Sequence, residues 1–495
     1  MILSRYLSQQ RHVPHFLCIE IIVRQLYASG VNNLDQFLEM VKQCNDAVSK
    51  VVWGPAMLLL LLFTGILFTV WSKFFQFTNC KLWMQHTAGS FFHKKSKKTE
   101  KNKSGISAFQ AMTTALAGAI GTGNIVGVAT AITLGGAGSI FWMWVASLFG
   151  MMTIFAENIL GVKYRRKNTN GEYVGGPMYY IEYGLKQKWM AILFAIFCMI
   201  ATLGMGNMTQ ANSIAGALYE TFSIEPKYTG LILCLLVGSI IFGGVGRIAK
   251  FSEKIVPFMA FFYLAGGLIV IFVHAKALPG VFSWIVKDAF SFSAAAGGGI
   301  GFLTSHAIKY GIARGVFSNE AGLGSSPIIY AASEEKEPVV QGMWGIFQVF
   351  FDTIIGCSVT ALCILCSGAA DSGKDGVALS TAAFETVFGQ FGSIFVTVSI
   401  AMFAFATMVG WSYYGERSLE YIAGEKFIPV YKAFYAIMIL FGCVMDLNLV
   451  WDLSDTFNGL MAIPNLIALL FLSKEVMNET KDYQKKLSKR SHAKK

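Results

Sequence analysis

Gly118-Ala119-Ile120-Gly121-Thr122-Gly123-Asn124-Ile125-Val126-Gly127 is the stretch on which the fold turns. It sits inside an apolar run from Ile106 to Leu134, and a bilayer-spanning helix needs about 20 such residues. A chain entering the hydrocarbon near Ser107 and rising about 1.5 Å per residue reaches Ile120 after roughly 20 Å. That is past the middle of a hydrocarbon core about 30 Å thick. Glycines at that depth weaken the helix, and backbone without partners is tolerated there only where it lines a cavity. A break would turn carbonyls toward a cation and amide groups toward a carboxylate. Asn124 adds a side-chain oxygen of the kind a hard cation such as sodium prefers. The competing reading is close helix packing, because Gly123 and Gly127 form a GxxxG pair. The polar Thr122 and Asn124 beside them favour a binding site.

The surrounding chain supports a membrane reading. Of 495 residues 54% are apolar and only 14% charged, against roughly 25% charged in soluble domains. Eleven spans are predicted: Val52–Trp71, Ile106–Leu134, Ile140–Val162, Trp189–Tyr219, Gly230–Val245, Ile255–Val273, Ala289–Tyr310, Val339–Cys366, Phe391–Tyr413, Phe427–Met445 and Thr456–Leu472. The net charge of +11 does not point to nucleic acid, since the cations cluster in loops beside spans. Lys94, Lys95, Lys97 and Lys98 follow the first span, Lys163, Arg165, Arg166 and Lys167 the third, and Arg247 and Lys250 the fifth. Opposite loops hold Glu220, Glu225, Asp371, Asp375, Asp446 and Asp452. The positive-inside rule then sets the N-terminus outside and the C-terminus in the cytoplasm, which requires an odd number of spans. Eleven satisfies it.

This divides the chain into an amphipathic or disordered extension (1–50), an additional N-terminal helix (51–75), two halves of five spans (105–275 and 288–473) and a basic cytoplasmic tail (474–495). Five is odd, so the second half enters from the opposite face and any repeat is inverted, as in many secondary transporters. The seventh span offers a counterpart break at Gly297-Gly298-Gly299-Ile300-Gly301, again near mid-membrane. Gly299 is its centre. Further on, Asn319 and Glu320 lie in a polar, glycine-dense run; Glu320 reads either as an inner gate pairing with a cation or as a solvated loop acid. In the fourth span Asn207, Thr209, Gln210, Asn212 and Ser213 crowd among apolar neighbours, and Gln210 is the one expected to face a central cavity. Thr407 and Trp411 are one turn apart on one helix face, a hydroxyl for an ion and an indole for a pocket wall. Glu157, toward the cytoplasmic end of its span, is expected to snorkel. His306 is the only deep histidine, expected packed or cavity-lining.

Several chemistries find no support. Gly368 to Lys374 reads GxxxxGK, but Asp375 replaces the Ser or Thr a phosphate loop requires. Gly121 to Gly127 has the wrong spacing for a dinucleotide fingerprint. The nine cysteines sit mostly in apolar runs and build no disulfide framework. No nucleophile–base pair or metal cluster marks an enzyme.

Gly121 to Val145 (GTGNIVGVATAITLGGAGSIFWMWV), Gly175 to Leu185 (GGPMYYIEYGL) and Gly311 to Ile328 (GIARGVFSNEAGLGSSPI) resemble the alanine or glycine:cation symporter family. The resemblance runs from about Leu34 to the last span. It implies the all-α inverted-repeat fold of neurotransmitter:sodium symporters, preceded by one extra helix, in a bacterial-type cytoplasmic membrane. It also implies sodium-driven uptake of alanine or glycine with no cofactor beyond the coupling ion, and proton coupling in some relatives. Family correspondence places Thr122, Gly123 and Asn124 at the first broken helix and Gln210, Thr407 and Trp411 around the substrate. By fold analogy the carbonyls of Ala117 and Ile120 with the Thr407 hydroxyl hold one sodium ion. A proton-coupled or broader amino-acid carrier is the alternative within the class, and a passive channel the alternative outside it.

Overall fold

Backbone in hydrocarbon must satisfy its own hydrogen bonds, so long apolar runs resolve into helices. The computed structural model describes residues 34–91, 105–291, 306–445 and 448–492. Among these, eight helices are long and apolar enough to cross a membrane: Glu39–Trp71, Gly138–Lys163, Lys188–Phe222, Gly244–Val273, Pro338–Cys366, Gln390–Ala423, Glu425–Val444 and Leu449–Phe471. A bent pair, Ala108–Ala119 with Gly123–Gly135, makes a ninth, the two pieces inclined by 52°.

In chain order the first elements are α1 (Leu34–Val52), α2 (Pro55–Trp71), α3 (Ala108–Ala119), α4 (Val128–Gly135) and α5 (Gly138–Lys163). Then come α6 (Lys188–Leu203), α7 (Thr209–Phe222), α8 (Pro226–Ile241), α9 (Gly244–Val273) and α10 (Leu278–Ala289). The second half holds α11 (His306–Asn319), α12 (Ser326–Ala331), α13 (Pro338–Val349), α14 (Ser358–Cys366), α15 (Gly376–Phe388) and α16 (Gln390–Ala423). Last are α17 (Ile428–Val444), α18 (Asn448–Phe471) and α19 (Ser473–His492). A two-stranded antiparallel hairpin, β1 (Arg166–Lys167) with β2 (Tyr173–Val174), caps the basic end.

The span count departs from eleven at two places. The fifth expected span, Gly230–Val245, is the 16-residue α8, which ends at Ile241. The next helix, α9, begins at Gly244 rather than Ile255 and runs 30 residues. The expected seventh span, Ala289–Tyr310, is not one described helix: Ala289 closes α10 and α11 starts at His306. Gly297–Gly301, with Gly299, lies outside the described residues, as does Asp446. The α11 helix carries Lys309, Arg314, Ser318 and Asn319 and is too polar to qualify by hydropathy. His306 is exposed at its start, which corrects the packed alternative.

Both ends of the described chain are tied to the helical core. The α1 helix falls within the expected 1–50 extension; just beyond it, Trp53 Nε1 donates to the Asp455 carbonyl of α18 (2.9 Å). The basic tail is helical as α19. It docks on the end of α5 through Lys163, which pairs with Glu475 (2.9 Å) and Glu479 (3.1 Å). Helix α5 itself is buried along most of its length and packs against α11 and α13.

Candidate functional site

Helix α3 starts on a capping box, in which Ser107 Oγ accepts from Gln110 N and Gln110 Oε1 from Ser107 N (both 3.1 Å). It stops at Ile120, whose ψ of 88° leaves the helical region. Two amides that would continue the ladder are diverted. Gly121 N donates to Asn124 Oδ1 (3.1 Å), and Thr122 N turns toward Gln210 Oε1 (3.5 Å). The helix partners of those amides, the carbonyls of Ala117 and Gly118, find side chains from α16 instead. Thr407 Oγ1 stands 3.1 Å from the Ala117 carbonyl, 3.5 Å from that of Ile120 and 3.0 Å from that of Phe403. Trp411 Nε1 donates to the Gly118 carbonyl (3.2 Å). The chain then re-enters a helix through a π-helical turn, Gly123–Gly127.

Gly121 has to be glycine here. A Cβ on it would stand 2.5 Å from Thr407 Oγ1. Gly123 packs against Phe317 and Ser318 of α11, whereas a Cβ on Gly127 would meet nothing within 4 Å. The GxxxG reading therefore describes one glycine of the pair. Thr122 is 1% exposed, and its hydroxyl has no hydrogen-bond partner. A buried hydroxyl without a protein partner beside unwound backbone is a polar group open to further bonding.

The structure brings Ala117, Ile120, Thr122, Gly123, Asn124, Gln210, Thr407 and Trp411 into one neighbourhood. Gln210, in α7 just past a π-helical turn at Gly204–Met208, is held by Nε2 donating to the Met205 carbonyl (3.0 Å). Trp411 is fully buried rather than anchored at an interface, because α16 runs on to Ala423, beyond the expected end at Tyr413.

A further break, which sequence reasoning did not place, lies later in the chain. Between α11 and α12 the chain unwinds over Glu320–Ser325, with left-handed backbone at Glu320 (φ 62°), Gly322 (φ 92°) and Gly324 (φ 82°). Glu320 is neither solvated nor paired with a cation. It is fully buried, with Oε1 accepting from Trp411 Nε1 (2.9 Å) and Oε2 from Ser325 Oγ (2.5 Å). Asn319 closes α11: its Oδ1 accepts from Ala321 N (3.0 Å) and its Nδ2 donates to Thr353 Oγ1 (3.1 Å). Glu157 does not snorkel. It is fully buried, and its Oε1 accepts from Gly324 N (3.1 Å) and Asn465 Nδ2 (2.5 Å). A free amide of the second unwound stretch is thus what draws the carboxylate inward.

A cavity of about 500 Å³ reaches Thr122 and Gly123 from the acidic end. Phe317, Arg314, Glu220 and Asp375 lie on its walls. Arg314 pairs with Asp455 (3.3 Å) and lies over the Phe317 ring (5.5 Å). The other end is closed by charge. Arg417, 4% exposed, bonds Glu416 (3.0 Å), Glu420 (2.5 Å) and Glu172 (3.1 Å), while Lys432 takes the other Glu416 oxygen (3.0 Å). A larger, mainly apolar crevice of about 1260 Å³ between α3, α9 and α13 does not include the broken backbone among its lining.

Sequence reasoning also missed Asp352. It is a lone carboxylate in the apolar run Val339–Cys366, and intramembrane charge is by itself a functional signal. A π-helical turn, Phe350–Cys357, carries it into the interior, where Asn124 Nδ2 donates to its Oδ1 (2.8 Å).

A bundle of apolar helices, two of them unwound around polar groups and reached by a cavity from one face, defines a multi-pass membrane carrier. The chain belongs to the sodium:alanine symporter family, whose model matches residues 38–495. The sodium/alanine symporter AgcS of Methanococcus maripaludis is 43% identical over 446 residues, 88% of this chain and 96% of that protein. A Bacillus subtilis protein provisionally named sodium/glutamine symporter GlnT is 41% identical over 461 residues, 92% of this chain and 93% of its own. Another from that organism, YrbD, 39% identical over 463 residues (89% and 92%), is provisionally named a sodium/proton-dependent alanine carrier. A crystallised manganese transporter of Eremococcus coleocola is 15% identical with a TM-score of 0.47, covering 75% of this chain and 78% of that one, too distant to bear on the assignment. The protein is an amino-acid symporter driven by sodium or protons, not an enzyme.

Proposed function

We propose that the protein carries a small neutral amino acid, alanine or glycine, together with sodium by alternating access across a bacterial-type cytoplasmic membrane. One observation carries this reading: the carbonyls of Ala117 and Ile120 converge on the Thr407 hydroxyl. A hydroxyl has one proton, so three carbonyl oxygens around it outnumber what it can satisfy. A small hard cation suits such oxygens. Sodium there orders the break, with Asn124 holding its far side. The amino-acid carboxylate then docks at Thr122 and Gly123, beside Gln210. Trp411, fixed between Gly118 and Glu320, walls the pocket and limits side-chain size.

The charge distribution favours an outside N-terminus and a cytoplasmic C-terminus. The cavity then faces outward, and the Arg417 cluster with the β1–β2 hairpin seals the cytoplasmic side. The two unwound stretches, in α3–α4 and α11–α12, support halves 105–275 and 288–473 built as an inverted five-plus-five repeat after the additional helix 51–75. Transport follows from rocking around these breaks, with about 2.3 kcal/mol available per charge at 100 mV.

The deciding experiment is labelled alanine uptake into proteoliposomes with and without an inward sodium gradient. Uptake that ignores the gradient removes sodium coupling. Proton coupling is the second reading, favoured by fully buried Glu157 and Glu320 with no described cation beside them. It requires uptake driven by a pH gradient in sodium-free buffer.

A further inference from the structure

A smaller cavity of about 170 Å³ adjoins the one that reaches Thr122, and Arg314 and Phe317 line both. One of its walls comes from the additional N-terminal segment: Ser49 and Lys50 near the end of α1, and Trp53 just past it. Lys309 of α11 and Asp455 of α18 complete the charged lining. The N-terminal wall is firmly seated. Trp53 Nε1 holds the Asp455 carbonyl (2.9 Å), and a Cβ on Gly459 of α18 would stand 2.3 Å from Val52 Cγ1.

The charges of this cavity are incompletely matched. Arg314 reaches Asp455 through Nη1 and Oδ2, at 3.3 Å. Asp455 Oδ1 is buried and has no hydrogen-bond partner. Lys50 and Lys309 are exposed, and no ion pair among the described residues includes either. Lys309 Nζ lies over the Tyr310 ring (5.3 Å). The walls thus offer three cations and one carboxylate with a free acceptor atom.

We propose that this cavity is an outer site for an amino-acid zwitterion, from which the carrier is loaded. The proposal rests on the amino-acid carrier reading and adds a second place of contact with substrate. The reason for a zwitterion is charge matching. An anion alone, bound at Arg314, would displace Asp455 and leave a carboxylate without its cation. A cation alone at Asp455 would strand the guanidinium in the same way, and a pair broken on one side is costly. A zwitterion does neither. Its ammonium takes the free Asp455 oxygen and its carboxylate takes Arg314, Lys50 or Lys309, so every charge stays matched. The Arg314–Asp455 pair presents its two charges side by side, as an α-amino acid does.

The location ties the outer site to the transport pocket. The Arg314 guanidinium lies over the Phe317 ring (5.5 Å), and a Cβ on Gly123 would stand 3.3 Å from Phe317 Cδ1. Loosening Arg314 from Asp455 releases the ring between the two cavities, and the bound amino acid is then one side chain away from Gly123. Clustered cations at an entrance also raise the local concentration of a carboxylate. The additional N-terminal segment, which an inverted repeat does not require, gains a role by supplying Lys50.

The test is equilibrium binding of radiolabelled alanine to purified full-length protein in saturating sodium. It compares wild type, the double variant Lys50→Gln with Lys309→Gln, and Gly121→Ala, which forces a Cβ to within 2.5 Å of Thr407 Oγ1 and spoils the inner pocket. Wild type is expected to show a tight and a weak class of site. The lysine variant, changed only at exposed positions, keeps the tight class and binds the weak one roughly tenfold less well. Its uptake in proteoliposomes needs more alanine for half-saturation. Gly121→Ala keeps only the weak class. Glycine displaces alanine from the weak class, whereas acetate and ethylammonium at equal concentration do not. A single class in wild type overturns the proposal, as does a weak class that survives intact in the lysine variant or yields to acetate alone. A wild type that binds no alanine in sodium sinks the carrier reading itself.

Discussion

Thr407→Val tests the ion site with little change of shape. Valine preserves the branched outline of threonine and removes only the hydroxyl, which lies 3.1 Å and 3.5 Å from the carbonyls of Ala117 and Ile120. Without sodium, the loss is one neutral hydrogen bond, worth about 1 kcal/mol net. With sodium bound, the loss is a ligand to a charge, worth about 1.5–3 kcal/mol. At 1.4 kcal/mol per decade this is roughly a 10- to 100-fold loss of sodium affinity. The sodium concentration for half-maximal uptake should rise by that factor, while saturating sodium restores the apparent affinity for alanine. Thermal shift gives an independent measure. At sodium about 100 times the wild-type Kd, the ion stabilises wild type by about 2.7 kcal/mol. A variant with roughly 30-fold weaker binding gains only about 0.9 kcal/mol at the same concentration. An unchanged sodium dependence would refute the reasoning. Equal destabilisation with and without sodium would make the hydroxyl a mere helix contact to Phe403, 3.0 Å away.

Trp411→Phe keeps an aromatic wall but strands the Gly118 carbonyl and Glu320 Oε1, both buried acceptors. At about 1–3 kcal/mol for each stranded group, a clear drop in melting temperature and weaker alanine uptake at fixed sodium are expected; wild-type values for both would remove the indole from the site. Arg417→Ala leaves Glu416 with Lys432 alone and Glu420 with only the neutral Asn168, a loss approaching the about 3–5 kcal/mol of a broken buried pair. It should raise labelling of a cysteine placed near Gln210 from the cytoplasmic side, and unchanged labelling would show that the cluster is no gate. The Lys163–Glu475 contact that docks α19 should be indifferent to pH near neutrality. Burial pushes the Glu475 carboxyl up, but the Tyr164 hydroxyl and the Lys163 ammonium outweigh it and hold the group below its ordinary value of 4.5. A depressed carboxyl contributes stability above its unfolded pKa and loses it only as pH falls through the folded one. Amide protection across residues 473–492, taken relative to the intrinsic exchange rate at each pH, should therefore fall only below about pH 4.5.

How much of this was legible in the sequence depends on what carried each feature. Apolar length set most spans, and glycine with polar neighbours marked the first break, because Gly121 and Asn124 act locally on backbone three residues apart. Thr407 and Trp411 were legible as one face of a helix. The break expected at Gly297–Gly301 lies outside the described residues, and the unwound stretch at Glu320–Ser325 was read only as a polar, glycine-dense run. Of its partners, Glu157 lies 163 positions before Glu320 and Asn465 lies 140 positions after Ser325. Nothing in a local window reports that a carboxylate from α5 will meet the Gly324 amide. Hydropathy also undervalues α11, which keeps Arg314 and Ser318 because they face Asp455 and Asp352. Asp352 was overlooked for the reverse reason, a single acid hidden in an otherwise apolar average.

The backbone irregularities share a position that single residues do not explain. Three π-helical turns, Gly123–Gly127, Gly204–Met208 and Phe350–Cys357, interrupt helices from different parts of the chain. Each inserts one residue into a turn, which rotates the next stretch of helix and loosens the local hydrogen-bond ladder. The first returns the broken span to a helix, the second precedes Gln210, and the third delivers Asp352 to Asn124. All three meet around the Ile120–Asn124 backbone through the contacts of Gln210 with Thr122 and of Asn124 with Asp352. Straight helices would each be more stable, since a distorted turn gives up regular bonding. Distortions that coincide in space expose oxygens and amides to one another, and their cost supports the binding role proposed above for this backbone. The same logic separates the two breaks. Around Glu320–Ser325 the freed groups are taken by fixed protein partners: Glu157 for the Gly324 amide, Asn465 for the Gly322 carbonyl (2.9 Å) and Trp411 for Glu320. Around Ile120–Asn124 an unpartnered Thr122 hydroxyl and surplus carbonyls remain. The second break is held by the protein's own groups, and the first keeps the unpartnered ones.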